Sequence, residues 1–197
     1  MIRLDVETKL KEALSKVDSA SSDFDLNPDV VLPEGRKLTP AAVLICIREN
    51  GTVILTKRSA KLKNHPGQIA FPGGKMDSTD ASLVDAALRE AKEEIGLPPS
   101  SVEVLGTLPQ HETVTSFAVT PVVAMLRDDF QISPEEGEVS EVFTTPLSHL
   151  LDTNNYVVES RIWQSSRRYY YAVPYGPYYI WGATARILKG LAEGSRA

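Results

Sequence analysis

Gly73-Gly74-Lys75-Met76-Asp77-Ser78-Thr79-Asp80 leads through residues 81–88 into Arg89-Glu90-Ala91-Lys92-Glu93-Glu94-Ile95-Gly96-Leu97, and no other part of the chain says as much about its fold. Residues 80–95 have the period of a helix, with Val84, Leu88, Ala91 and Ile95 in one apolar stripe. Gly96 suits a C-terminal stop, and Pro98-Pro99 forbids continuation. Glu90, Glu93 and Glu94 fall together on another arc, with Glu90 and Glu94 at i and i+4. Like charges at that spacing cost about 0.2–0.5 kcal/mol per pair. Carboxylates in the last turns also oppose the helix dipole, at about 0.3–1 kcal/mol each. Lys92 points elsewhere. A hard divalent cation takes oxygen ligands and would neutralise the three. A plain solvated acidic face is the alternative, and on an arbitrary helix it wins. Here a diglycine loop precedes the helix, able to bring bare backbone against a ligand, and Arg89 adjoins the first glutamate.

Upstream, residues 41–47 form a near-continuous apolar run and residues 52–56 a second one, separated by Glu49-Asn50-Gly51, a strong hairpin signal. A basic stretch over residues 57–64 follows. Residues 67–71 suit a short strand that Pro72-Gly73-Gly74 would end. Downstream, residues 102–108, 117–126 and 139–143 read as strands, and residues 128–138 as an acidic loop. Residues 146–151 read as a short helix, Ile162-Trp163 with residues 169–173 as a hairpin, and residues 180–191 as a helix. The first residues have helical spacing (Leu4, Val6, Leu10, Leu14, Val17) and decay into a polar linker at residues 18–23. Residues 1–37 are therefore expected to be a helical arm and loop packed on the main domain. Strands outnumber helices and alternate with them irregularly, which predicts an α/β fold with a mixed sheet flanked by helices.

The chain has 197 residues, of which 42% are hydrophobic, enough for one domain with a real core. Its net charge of -5 gives no overall field for nucleic acid or an anionic membrane. A small anionic substrate is compatible with it, because bound cations can dominate a local site. The single cysteine, Cys46, lies in an apolar run and reads as a core residue. The N-terminus lacks the apolar region of a signal peptide, and no run has the length of a membrane span. A cytoplasmic setting is the default expectation. His65, His111 and His149 show no zinc spacing, and no Ser/His/Asp set can be argued from sequence. Tyr169-Tyr170-Tyr171, Tyr175, Tyr178, Tyr179 and Trp181 make an aromatic tail for which packing is the default. Adenine stacking and a homodimer contact are its alternatives.

Residues 89–97 match the second half of the Nudix box, Arg-Glu-U-x-Glu-Glu-x-Gly-U with U apolar, at every fixed position. The front half is one residue longer than usual and carries Asp80 where a glutamate is common. This longer loop is similar to the coenzyme A pyrophosphatase branch of the family. So are Leu55-Thr56-Lys57-Arg58-Ser59 and Gly67-Gln68-Ile69-Ala70-Phe71-Pro72-Gly73-Gly74, with Lys63 standing where that branch has a later arginine. The resemblance spans roughly residues 38–190 and implies a Nudix hydrolase domain over residues 38–197, built as an α/β/α sandwich. It implies Mg²⁺- or Mn²⁺-dependent hydrolysis of a diphosphate, in coenzyme A or acyl-CoA first. ADP-ribose, dinucleotides or nucleotide sugars are the alternative, and a non-catalytic nucleotide-binding regulator is an alternative of another class.

The expected metal ligands are Glu90 and Glu94, with Glu93 a third and the Gly74 carbonyl completing the shell. Glu93, Glu138 and Arg89 are the expected catalytic set. Glu138 is preferred as general base over Glu135, Glu136 and Glu141 because it immediately precedes a strand. Arg89 is expected to orient Glu90 or pair with Asp80. Arg58, Lys63, Gln68 and Gly73 are the expected substrate-binding residues, with Arg58 and Lys63 reaching phosphate, including the 3′-phosphate of coenzyme A.

Overall fold

The computed structural model describes residues 2–163 and 166–196, with side chains from residue 5 onward. The described residues include four α-helices: α1 Ile2–Lys16, α2 Leu83–Ile95, α3 Leu147–Leu151 and α4 Ala183–Gly194. The strands in chain order are β1 Ser21–Ser22, β2 Thr39–Ile47, β3 Thr52–Arg58, β4 Ile69–Ala70, β5 Gly73–Lys75, β6 Val102–Thr107, β7 His111–Glu112, β8 Phe117–Leu126, β9 Val139–Pro146, β10 Val157–Trp163 and β11 Ser166–Ala172. The first nine share one mixed sheet, and β10 and β11 form a separate antiparallel pair.

β2 is the central strand. It runs parallel to β8 from Thr39↔Phe117 to Ile47↔Met125. Both strands are buried on both faces, which is why both read as continuous apolar runs rather than alternating ones. Beyond the Asn50-Gly51 turn, β3 is in ladder register with β2 at Ile47↔Val53 and then pairs antiparallel with β9. The space this divergence opens along β2 is filled by β5, at Ala41↔Lys75 through Val43↔Gly73.

Alternate residues of β2 enter two cores. Ala42, Leu44 and Cys46 pack with Ala87, Ala91 and Ile95 of α2. Ala41, Ile45 and Ile47 pack on the other face with Leu10 and Ala13 of α1 and with Leu188 and Leu191 of α4. The molecule is the expected α/β/α sandwich, with α2 on one face and α1 and α4 on the other. Among the described residues no helix is long and apolar enough to cross a membrane.

Three local expectations are corrected. The box helix begins at Leu83, not residue 80, because Ser82 caps it: its Oγ accepts from the Asp85 N–H. Pro72-Gly73-Gly74 does not merely end a strand, since Gly73–Lys75 is one. The linker at residues 18–23 contains β1, which lies parallel to β7. This two-residue strand has no period that could show in sequence.

Candidate active site

The buried row of α2 is rotated from the stripe read in sequence. Ala87, Ala91 and Ile95 are fully buried, and Val84 and Leu88 only flank them. Glu94 stands at i+7 from Ala87 and i+3 from Ala91, so it shares the buried row and is only 5% exposed. Burial pushes its carboxyl up to about 8. The Gly73 N–H, donating to Oε2 at 3.2 Å, pulls it down. The charges of Glu90 and Glu138 push it further up, and Arg58 opposes them.

β5 brings the diglycine against this helix. A Cβ on Gly74 would lie 2.5 Å from Cδ of Glu90, so the Glu90 carboxylate rests on bare backbone. Gly73 has φ +155°, and a Cβ there would lie 2.4 Å from the Ala42 carbonyl oxygen. The two glycines thus have separate reasons, one facing the sheet and one facing the acid.

Arg89 organises the remaining acids. Its Nε and Nη2 donate to Oδ1 and Oδ2 of Asp80, both at 2.9 Å. Nη1 donates to Glu90 and to Glu93, each at 3.0 Å, and Nη2 to the Lys75 carbonyl at 3.0 Å. Those five bonds use the five donors of a guanidinium. They hold the Asp80 carboxyl below the usual range. The Glu90 carboxyl is raised by burial, against the pull of Arg89. Arg89 therefore compensates Glu90 and Glu93, which sequence alone left unneutralised, and Glu94 receives none of this. Glu93 is the outermost of the three, with its side chain 59% exposed. Among the described residues no three acidic or histidine side chains stand close enough to hold an ion as they are.

The other expected residues divide. Arg58 ends β3 beyond a register shift, and its Nε is buried without a hydrogen-bond partner. Its charge acts on Glu94, so the guanidinium belongs to the same cluster. The acidic loop is clipped to the end of α2 by Ser133 N–H to the Ile95 carbonyl (3.0 Å) and Glu135 N–H to the Glu94 carbonyl (2.9 Å). It is clipped to β3 by Ser59 N–H to the Glu138 carbonyl (2.7 Å). Those clips place the exposed Glu138 where its charge acts on both Glu90 and Glu94. Glu141 instead accepts from Tyr178 Oη at 2.6 Å. Lys63 is exposed and makes no hydrogen bond or ion pair among the described residues. Gln68 is half-buried, with Nε2 facing Gly182 ahead of α4.

A Ser/His/Asp contact does exist, one that could not be argued from sequence. Ser21 Oγ and Asp23 Oδ1 lie 2.9 and 3.1 Å from the two ring nitrogens of His111. His111 is fully buried, and the contact ties β1 to β7. Its members are 90 and 88 residues apart, so no local signal could have shown it. A recess of about 260 Å³ lies beside Ser21, between the arm and α4, and none of the box residues lines it. Much of the aromatic tail packs, as in the stacked Phe143–Tyr178 pair at 3.5 Å between centroids.

By its chemistry, though not by the present spacing of its side chains, the donor set suits a hard divalent cation. It consists of carboxylate oxygens on one rigid helix, one of them buried with a single N–H donor, beside a glycine that leaves room where a Cβ would strike Glu90.

Comparison with known proteins identifies the family. The family model described as the NUDIX domain matches residues 37–165. A protein of Enterobacter sp. (strain 638) named "Uncharacterized Nudix hydrolase NudL" is 46% identical over 162 residues, covering 77% of this chain and 80% of its own. Its namesake from Citrobacter koseri is 43% identical over 186 residues, covering 89% and 93%. The solved structure of a MutT protein from Methanosarcina mazei Go1 aligns over 83% of this chain and 97% of its own, with TM-score 0.53 and 18% identity, a likeness of fold. The chain belongs to the Nudix hydrolase family and is a pyrophosphohydrolase acting on nucleoside diphosphate derivatives.

Proposed function

We propose that the chain hydrolyses the diphosphate of coenzyme A or an acyl-CoA, releasing 3′,5′-ADP and 4′-phosphopantetheine or its acyl form. The observation that carries the reading is the Arg58 guanidinium, whose buried Nε has no partner and whose charge acts on Glu94. An unpaired buried N–H costs about 1–3 kcal/mol, so one kept in a fold calls for a partner, and a substrate phosphate would supply it. The segment that ends in Arg58 and the Phe71-Pro72-Gly73-Gly74 stretch are those that resemble the coenzyme A branch.

Glu90 and Glu94 would hold Mg²⁺ or Mn²⁺, with Glu93 a third ligand and the Gly74 carbonyl contributing. When bound, the ion neutralises phosphate oxygens and acidifies water. Arg89 acts as a positioning residue, because its donors are committed to Asp80, Glu90, Glu93 and Lys75. Glu138 takes the proton of the attacking water as the new phosphorus–oxygen bond forms and the bridging one breaks. Its exposure and its place among like charges suit a base that must exchange protons with solvent. Gly73 holds Glu94 through its N–H, and Gln68 and Lys63 border the approach from the β3–β4 loop.

A panel of coenzyme A, dephospho-coenzyme A, ADP-ribose, a dinucleotide and a nucleotide sugar, with Mg²⁺ and Mn²⁺, tests the substrate. Turnover concentrated on coenzyme A is expected; preference for ADP-ribose or the others would overturn it. Arg58→Ala should raise KM for coenzyme A roughly tenfold, about 1.4 kcal/mol, and more than for the dephosphorylated form. Equal KM values in variant and wild type would remove Arg58 from the phosphate site. Glu138→Gln should lower kcat and remove the acidic limb of the pH–rate profile; an unchanged limb would assign the base elsewhere.

A further inference from the structure

The hairpin of β10 and β11 has two outer edges, and the fold closes only one. Along β11, Asn27 from the N-terminal segment behaves as a short strand: its Nδ2 donates to the Tyr169 carbonyl and its Oδ1 accepts from the Tyr169 N–H, both at 2.9 Å. Along β10, no strand or side chain bonds to the backbone on the outer side among the described residues. An unpaired edge is ordinarily guarded by charged side chains, above all Lys, by Pro, by a bulge or by a covering element. Val157-Val158-Glu159-Ser160-Arg161-Ile162-Trp163 has no Pro or Lys, its pairing with β11 shows no register shift, and its two charges, Glu159 and Arg161, are of opposite sign and so do not repel a second copy set against them. All of it but Ser160 is exposed: Glu159 and Arg161, and four apolar residues, with Ile162 65% and Val158 53% accessible and Val157 and Trp163 beside them.

The sequence of this edge is complementary to itself. In an antiparallel pair of two copies about a two-fold axis at Ser160, Glu159 faces Arg161, Val158 faces Ile162 and Val157 faces Trp163, each twice. Opposed charges and opposed apolar side chains are the favourable cross-strand pairs. Moving the axis to residue 159 or 161 would set Glu159 against Glu159 or Arg161 against Arg161. An axis between residues would set charges against Ser160 and apolar groups. Only the Ser160 register satisfies the whole strand. The two charges are held in place for it: Glu159 accepts from Tyr179 Oη at 2.6 Å through Oε2, and Arg161 lies over the rings of Trp163 and Trp181 at 4.7 and 4.5 Å.

We propose that β10 is the interface of a homodimer, joining two hairpins into a four-stranded antiparallel sheet about Ser160. Such an isologous contact closes on itself and leaves no growing edge. It is independent of the substrate assigned above.

Charge exchange tests it. Sedimentation or native mass spectrometry of the full chain should show a dimer. Glu159→Arg and Arg161→Glu should each loosen it roughly tenfold or more. The double variant should dimerise again, and an equimolar mixture of the two single variants should form a heterodimer. Ser160→Cys should give a cross-linked dimer on mild oxidation, since directly opposed residues are close, while Cys46 is buried. Far-ultraviolet circular dichroism of each variant controls for folding. A monomer at all concentrations, or a dimer indifferent to both charge reversals and to Ser160→Cys oxidation, would overturn the proposal. So would failure of the mixed variants to associate when both are folded.

Discussion

Gly73 and Gly74 are neighbours that sequence cannot tell apart, yet an added methyl group would meet different things at each. At Gly73 it strikes the rigid Ala42 backbone from a positive-φ position. Gly73→Ala should therefore destabilise the fold by about 2–4 kcal/mol, visible as a lower urea midpoint. At Gly74 it strikes the flexible end of Glu90. Gly74→Ala should keep its stability within about 1 kcal/mol while losing most of its turnover, because Glu90 must swing away. Equal effects of the two substitutions on stability would contradict the assigned geometry. Cys46 is a simpler case. Burial pushes its thiol up to about 12, so a thiol reagent at neutral pH should label it only in denaturant.

Glu94 links stability to activity at the same scale. Its carboxyl is raised in the fold above the ordinary 4.5, so the metal-free fold favours its neutral form. The stability this confers is complete below about pH 4.5 and is lost as pH climbs through about 8. Glu94→Gln mimics the neutral form. In EDTA it should melt higher than wild type at pH 8, by up to a few kcal/mol on the order-of-magnitude scale of such shifts, with the gap closing towards pH 4.5. Its turnover with divalent metal should fall by at least roughly 100-fold. A variant that melts lower throughout, or that remains active, would contradict the reading of Glu94 as a destabilising, functional acid.

Among the elements, α1 and α2 lie on opposite faces of the sheet and should fail differently. α1 is fastened by Leu10, 1% exposed, and by close approach to α4, where a Cβ on Gly194 would lie 2.7 Å from the Ala13 carbonyl oxygen. Leu10→Ala should cost about 2–4 kcal/mol and leave KM unchanged, because α1 packs in the core away from α2. A raised KM would show that the arm reaches the active site. Strand and helix types were legible here because β2, β8 and α4 have long apolar patterns. The sequence reading starts α2 too early because residues 80–82 continue its composition, whereas Ser82 with Asp85 three residues on is a capping pattern that delays the first turn.

For the whole molecule, three segments distant in sequence converge on one acid. The end of β3 brings Arg58, β5 brings the Gly73 N–H, and the acidic loop brings Glu138. A divalent ion at this point should bind the folded chain alone, raising Tm as Mg²⁺ or Mn²⁺ is added. EDTA should abolish turnover, and either ion should restore it. A Tm indifferent to both ions at millimolar concentration would remove the metal from the glutamate cluster.

The helix with its three glutamates, the diglycine and the α/β sandwich were determined by sequence, because each rests on short-range order: period, spacing, or an apolar run long enough to cross a sheet. Which glutamate is buried was not, since a helix is turned by what it packs on, and the β2–β8 surface took the Ala87–Ala91–Glu94 row. The same holds for the His111 contact and the open edge of β10. Their parts are ordinary polar or apolar residues until the sheet brings some together and leaves others without a neighbour.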